Sequence, residues 1–283
     1  MDFPTADFWS VELRPPASFP PVHEGASVLR FFGRRRREQE IRSRPFPPDW
    51  FAVVDRNASF FRRLSEDDRR ELLGHIQVFL AEKTFEGCNG LELTDEIRVT
   101  IAAHACRLLL RRQVDVFPRL ITVLVYPSAY VARDVEPIAG GGVLEGEVVR
   151  LGEAWKDGVA VVSWDEVRTM AIGETPGRNL ILHEFAHILD MEDGASDGTP
   201  VLADRRLYAV WSAVMEDEYD RLRRLDHLGR YSVLDPYGAT NPAEFFAVAT
   251  EAFFEKATVL KRRHPKLYEV LLAFYRQDPA ETG

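Results

Sequence analysis

The stretch His183-Glu184-Phe185-Ala186-His187 holds the residue types and spacing with the greatest chemical content in this chain. On an α-helix, residues four apart stand one above the other on a single face, so the imidazoles at 183 and 187 can converge on one cation. Glu184 is offset by one residue. That offset directs its carboxylate at a cation-bound water instead of at the cation, the position of a general base in the H-E-x-x-H arrangement. The flanks strengthen this reading: Leu180, Ile181, Leu182, Phe185, Ala186, Ile188 and Leu189 are apolar nearly all round. This pattern describes a buried helix, in which two imidazoles and a carboxylate are costly unless a cation engages them.

Such a site needs a third protein ligand and an open fourth position. Asp193 lies six residues after His187, the spacing of the third ligand in metzincins, but Asp190 stands where that pattern requires a chain-turning glycine. Glu244 competes for the role. Asn241 is a good helix N-cap, Pro242 suits the first helical position, and Glu244 stands three residues after the cap. A glutamate there can also fold back onto the cap residue's backbone N–H as half of a capping box, so position alone leaves ligand and cap both open. Asp190, one turn beyond His187, can accept the imidazole N–H that a metal does not use, or face solvent at a helix end.

Together, His-Glu-Phe-x-His with an aspartate three residues on, and Tyr237-Gly-x-Thr-Asn-x-Ala-Glu244-Phe-Phe-Ala downstream, resemble the Mlc titration factor A family of zinc metallopeptidases. Over the same two segments the chain is similar to the catalytic domain of anthrax toxin lethal factor. The family resemblance extends to Leu120–Pro127, Val161–Val167 and Phe274–Pro279, and covers roughly residues 48 to 279. It implies one zinc ion held by His183, His187 and Glu244, with Glu184 as the base. It also implies that the hydroxyl of Tyr237 reaches toward the zinc or the developing oxyanion. Zinc-activated water would then attack a peptide carbonyl, Glu184 passing the proton to the leaving amine. Endopeptidase and aminopeptidase modes both stay open. A rival reading is a regulatory binding protein that sequesters a transcription repressor of the Mlc type and keeps zinc mainly for structure; Glu184 discriminates, because a structural zinc has no use for a base.

Composition narrows the field. With 283 residues and 46% hydrophobic content, the chain can bury a full core. A net charge of −9 disfavours nucleic acid or a membrane surface as the general partner. The run Arg34–Arg37 is short and followed by Glu38 and Glu40, as on a solvated helix end or tail. Cys88 and Cys106 form no C-x-x-C pair, which suggests neither a disulfide framework nor a cysteine metal site. Without a basic and apolar leader, or an apolar stretch near the roughly eighteen residues of a membrane span, a cytoplasmic protein is expected.

Around the chemistry, the pattern predicts an α+β fold. Residues 1–45, punctuated by Pro15-Pro16, Pro20-Pro21 and Pro45-Phe-Pro-Pro48, read as an irregular arm ahead of a metallopeptidase domain over 46–283. Its helical first part, 46–118, holds a helix opening at Ser65-Glu-Asp-Asp68 and another from Thr94 to about Arg112, with His75 and His104 as core or surface histidines. The catalytic part, 119–283, begins with β-branched runs at Ile121–Tyr126, Val148–Leu151 and Val159–Trp164; Gly140-Gly-Gly142 reads as a flexible connection. Helices follow over the H-E-x-x-H run, about Ala203–Leu225, from Asn241, and from His264 or Pro265 to Gln277. Phe245, Phe246, Phe253 and Phe254 read as core. The resemblance implies a zincin-like arrangement, a small mixed sheet packed on the H-E-x-x-H helix and a second Glu-bearing helix, with an edge strand that pairs with extended substrate.

Overall fold

Capping chemistry marks where this chain becomes helical. The computed structural model describes residues 24–281 apart from 113, 129, 139–141, 151, 156–157, 172 and 174–176; of 24–32, 130–138, 142–150 and 152–155 it describes the backbone alone. The chain divides between Glu40 and Ile41 into two units.

Within the stretch expected as an irregular arm, α1 spans Glu24–Arg42, and residues 1–23 lie outside the described residues. No proline interrupts 24–44, and Arg34–Glu38 and Arg36–Glu40 pair at helical i,i+4 spacing, 3.2 and 3.5 Å. The prolines flank this helix, ending at Pro21 and resuming at Pro45.

In the second unit, α2 (Pro48–Asn57) starts at a proline. Ser65 caps α3 (Glu66–Glu82) by accepting from Asp68 N, and Thr94 caps α4 (Asp95–Arg107) by accepting from Ile97 N. Between them lies β1 (Thr84–Gly87), followed later by β2 (Thr122–Tyr126), the hairpin β3 (Tyr130–Ile138) and β4 (Gly142–Arg150), β5 (Gly152–Trp155) and β6 (Val159–Ser163). Gly140 and Gly141 lie outside the described residues. The helices α5 (Trp164–Ala171), α6 (Leu180–Asp190), α7 (Leu207–His227), α8 (Pro242–Glu255), α9 (Ala257–Arg263) and α10 (Pro265–Tyr275) complete the chain. Among the described residues no helix is long and apolar enough to cross a membrane.

The main sheet has the order β1-β2-β6-β5, with β1, β2 and β6 parallel and β5 antiparallel on β6; β3 and β4 form a separate antiparallel pair. The small mixed sheet and the α+β class are therefore as predicted. Strands β1 and β5 escaped sequence reading because Thr-Phe-Glu-Gly and Gly-Glu-Ala-Trp are too short and too poor in β-branched residues to signal themselves. Parallel pairing makes β6 deeply buried, and α6 packs against both β6 and β5.

One face of α6 is held by an aromatic cluster: the Phe185 ring lies 5.0 Å from Phe117 and 5.8 Å from Phe79, all three fully buried. Lys83 ties the sheet to this cluster, its buried Nζ donating to the carbonyls of Phe117 and Leu120 at 2.7 and 3.0 Å. On the other side α8 buries Phe245, Phe246, Phe253 and Phe254, in agreement with their reading as core. Replacing Phe185 with alanine removes the ring that couples α6 to α3 and the Phe117 loop, so Phe185→Ala is expected to cost about 3–5 kcal/mol of unfolding free energy. Urea unfolding followed by circular dichroism checks this; a loss below about 1 kcal/mol would contradict the packing described.

Candidate metal centre

Two imidazoles and a carboxylate converge from α6 and α8. Asn179 caps α6 by accepting from Leu182 N at 3.2 Å, and the turn that follows stacks His183 beneath His187. Their Nε2 atoms are 3.3 Å apart, and Glu244 Oε2 lies 3.0 Å from the first and 3.3 Å from the second. Asn241 Oδ1 caps α8 by accepting from the Glu244 backbone N at 2.9 Å, while the Glu244 carboxylate turns to the imidazoles instead of back to the cap. The capping-box alternative for the Glu244 carboxylate is thus not the one adopted.

The donor atoms of His183, His187 and Glu244 all lie within 4.8 Å of one another. Two imidazole nitrogens and one carboxylate oxygen are a donor set that suits zinc. Glu184 supplies a second sign of fit: its side chain is buried and its Oε2 is sealed from solvent without a hydrogen-bond partner. An orphaned buried carboxylate oxygen beside a three-donor cluster marks a place for a bound cation and a polar reactant.

Asp193 does not join the cluster. It sits in the turn after α6, where its carboxylate accepts from Ala195 N at 2.9 Å. Tyr237 stands close by, its ring 6.1 Å from that of His183 and the residue 53% exposed. Asp190 differs from its sequence reading: it is fully buried and its Oδ2 accepts from Gly198 N at 2.9 Å, so it anchors the loop folding back over the end of α6 instead of His187.

The residue that orients an imidazole is Glu251, which sequence reasoning missed. His183 Nδ1 donates to Glu251 Oε1 at 2.8 Å, which turns Nε2 toward the cluster, while Glu251 Oε2 accepts from Asn179 N at 2.8 Å. A signal existed: Glu251 is two turns beyond Glu244, on the same face of α8. One turn further, Glu255 Oε1 accepts from Asn179 Nδ2 at 3.2 Å and from Arg107 Nη1 at 3.0 Å. His104 completes the support, with Nδ1 3.1 Å from Asn179 Nδ2 and Nε2 3.0 Å from the Asn57 carbonyl.

Burial governs the charges. It raises Glu184 to about 8, the nearby Glu244 and Glu251 charges adding to the rise and His183 opposing it. Burial presses His183 toward its neutral form, but hydrogen bonds to Glu244 and Glu251 outweigh it and hold the imidazole at about 10. For Glu244, burial is overcome by the hydrogen bonds with His183 and His187, which bring it to about 2. Two protonated groups thus stand where a cation would otherwise balance the carboxylates.

The sequence profile of the glucose-regulated metallo-peptidase M90 family matches residues 32–276. A protein of Synechocystis sp. described as uncharacterised is 43% identical over 244 residues, 86% of this chain and 89% of its own length. Proteins named Mlc titration factor A from Yersinia pestis and Yersinia pseudotuberculosis are each 31% identical over 226 residues, 79% of this chain and 83% of theirs.

The charge state of the cluster predicts how the chelator-treated protein responds to pH. His183, raised from 6.5 to about 10, contributes stability that is full below 6.5 and lost as pH rises through 10. Glu184, raised from 4.5 to about 8, has its ionisation cost fully developed above 8. Both act in one direction, so the chelated protein is expected to melt at lower temperature at pH 10 than at pH 7, and His183→Phe should flatten the dependence. A melting temperature that rises across this window would contradict the assignment.

Proposed function

This chain belongs to the glucose-regulated metallopeptidase M90 family, with Mlc titration factor A proteins among its relatives, and we propose that it is a zinc-dependent peptidase of zincin-like fold. The observation that carries this reading is the convergence of His183, His187 and Glu244 beside the partnerless Glu184 oxygen. These three would hold the zinc. Bound there, zinc supplies Lewis acidity, making water a nucleophile near neutral pH and polarising the scissile carbonyl.

The chain's own residues do the rest. Glu184, buried beside the three donors, takes the proton of the attacking water and delivers it to the leaving amine. Glu251 keeps the proton of His183 on Nδ1, so that Nε2 presents its lone pair to the ligand site. Tyr237 donates a hydrogen bond to the carbonyl oxygen as it gains charge, an interaction stronger in the transition state than in the ground state. Strand β5 is an edge of the main sheet against which α6 packs, and its outer backbone offers the peptide groups that extended substrate pairs with.

A second reading is favoured by the name of the Yersinia relatives: a chain that sequesters a transcription repressor, the zinc serving structure. One substitution separates the two. Glu184→Gln is expected to keep stoichiometric zinc and repressor binding, where it exists, while lowering kcat for peptide hydrolysis by about 10²–10⁴-fold. Peptide turnover equal to the parent's would sink the peptidase mechanism.

The ligand set has its own test in metal analysis of purified variants. Glu244→Ala is expected to lose most of its zinc, and Asp193→Ala to remain near stoichiometric. A chelator should abolish hydrolysis of a mixed peptide library, and added zinc should restore it. The reverse ordering of the two variants would transfer the third position to Asp193.

A further inference from the structure

Tyr237 sits in a short 3-10 turn, Pro236–Ala239, on the loop that leads from α7 to α8. Other elements tie this turn down on the α7 and α8 side. Tyr219 donates its hydroxyl to the Ala239 carbonyl at 3.3 Å, Lys256 Nζ donates to the Val233 carbonyl at 3.4 Å, and a Cβ on Gly238 would come within 3.2 Å of both Leu222 and Val248. None of these ties reaches the helix that carries the two imidazoles.

Asp235 does reach it, because its two carboxylate oxygens serve two different segments. Oδ1 accepts from Tyr237 N at 3.0 Å and so caps the turn, while Oδ2 pairs with Arg178 Nη2 at 3.1 Å. Arg178 immediately precedes Asn179, the cap of α6. A single carboxylate therefore joins the backbone of Tyr237 to the start of the His183 and His187 helix. Gly177 adds to the join from the same side: at φ +78° it lies against the Lys256 stem, where a Cβ would come within 2.1 Å of Cε.

We propose that Asp235 is the positioning residue of Tyr237, fixing the turn that carries the tyrosine to Arg178 at the head of α6. The inference rests on the reading in which Tyr237 assists peptide hydrolysis, and Asp235 acts only through that residue. Its ion pair is open to solvent, the Arg178 side chain being 61% and that of Asp235 34% exposed, so it adds little to global stability. Placement is another matter. A shift of about 1 Å in a group that meets the reacting atoms can cost on the order of 10²-fold in rate, and the Asp235–Arg178 pair sets the tyrosine turn against the ligand helix.

Kinetics of peptide hydrolysis by the full-length zinc-loaded protein test this as a double-mutant cycle. Tyr237→Phe is expected to lower kcat by about 10²-fold and Asp235→Ala by about 10–100-fold, with KM within about twofold of the parent, zinc stoichiometric and the melting temperature little changed. The double variant should fall no further than Tyr237→Phe alone, since nothing is left to position. Asp235→Asn keeps an oxygen for the Tyr237 N–H but loses the charge that Arg178 meets, so its kcat should lie between those of the parent and Asp235→Ala; Arg178→Lys should stay closer to the parent than Arg178→Ala. Losses that multiply in the double variant, or parent-like kcat in Asp235→Ala, overturn the proposal. A second readout needs no turnover. In protein labelled with 3-fluorotyrosine, the fluorine resonance absent from Tyr237→Phe should move when zinc is added, because the ring lies 6.1 Å from that of His183, and Asp235→Ala should remove most of that response. An unchanged response overturns the proposal, whereas a lost response together with equal turnover by Glu184→Gln and the parent would leave it standing and remove the peptidase reading alone.

Discussion

The contact on which this structure turns is the meeting of α8 carboxylates with α6 imidazoles inside an apolar core. Glu244 and Glu251 both reach His183, one at each ring nitrogen, so that a single imidazole is gripped from two sides by one helix. Charges taken out of water cost several kcal/mol each unless their partners are well placed, and the interior around these helices is built of phenylalanine, leucine and isoleucine. The two helices are therefore held at the separation that lets the polar groups meet. A cation in their midst would neutralise much of the negative charge of Glu184, Glu244 and Glu251.

Support for this contact extends outward in layers. Asn179 begins α6 and at the same time bonds Glu251, Glu255 and His104, so the cap of one helix is clamped by the side of another. Arg107 closes the network from α4: it pairs with Glu255 and lies between the rings of Phe60 and Phe254 at 4.3 and 4.7 Å. At the far end of α6, Asp190 holds the returning loop through Gly198. The start of the helix that presents His183 and His187 is thereby fixed by side chains of other elements and its end by its own Asp190 bonding a returning loop, the rigidity that a preorganised site needs.

The two proposed readings, peptide hydrolysis and repressor sequestration, would draw on different parts of this architecture. Hydrolysis requires the Glu184 carboxylate and an accessible strand edge, whereas sequestration requires a surface and tolerates an inert metal. Glu184 bears on the choice because a buried carboxylate without a hydrogen-bond partner is a cost that a purely structural site has no reason to retain. Beside the buried cluster, the exposed Tyr237 sets its ring 6.1 Å from that of His183.

Much of this was legible in the residues alone. Helix starts followed from Ser65, Thr94 and Asn241, and the facing of His183 and His187 from helical periodicity, because caps and i,i+4 neighbours act over one or two turns. The paired imidazoles of the candidate metal cluster are visible for the same reason. Tertiary structure alone decided which carboxylate approaches the imidazoles, since Glu244 and Glu251 stand 61 and 68 residues from His183 in the chain and only packing brings them near. It also decided that Asp190 bonds a loop, that β5 runs antiparallel at the sheet edge, and that Arg178 meets Asp235. Local sequence specifies what each short segment can form and which groups it carries; the partner that each group finds is set by the burial of distant apolar faces against one another.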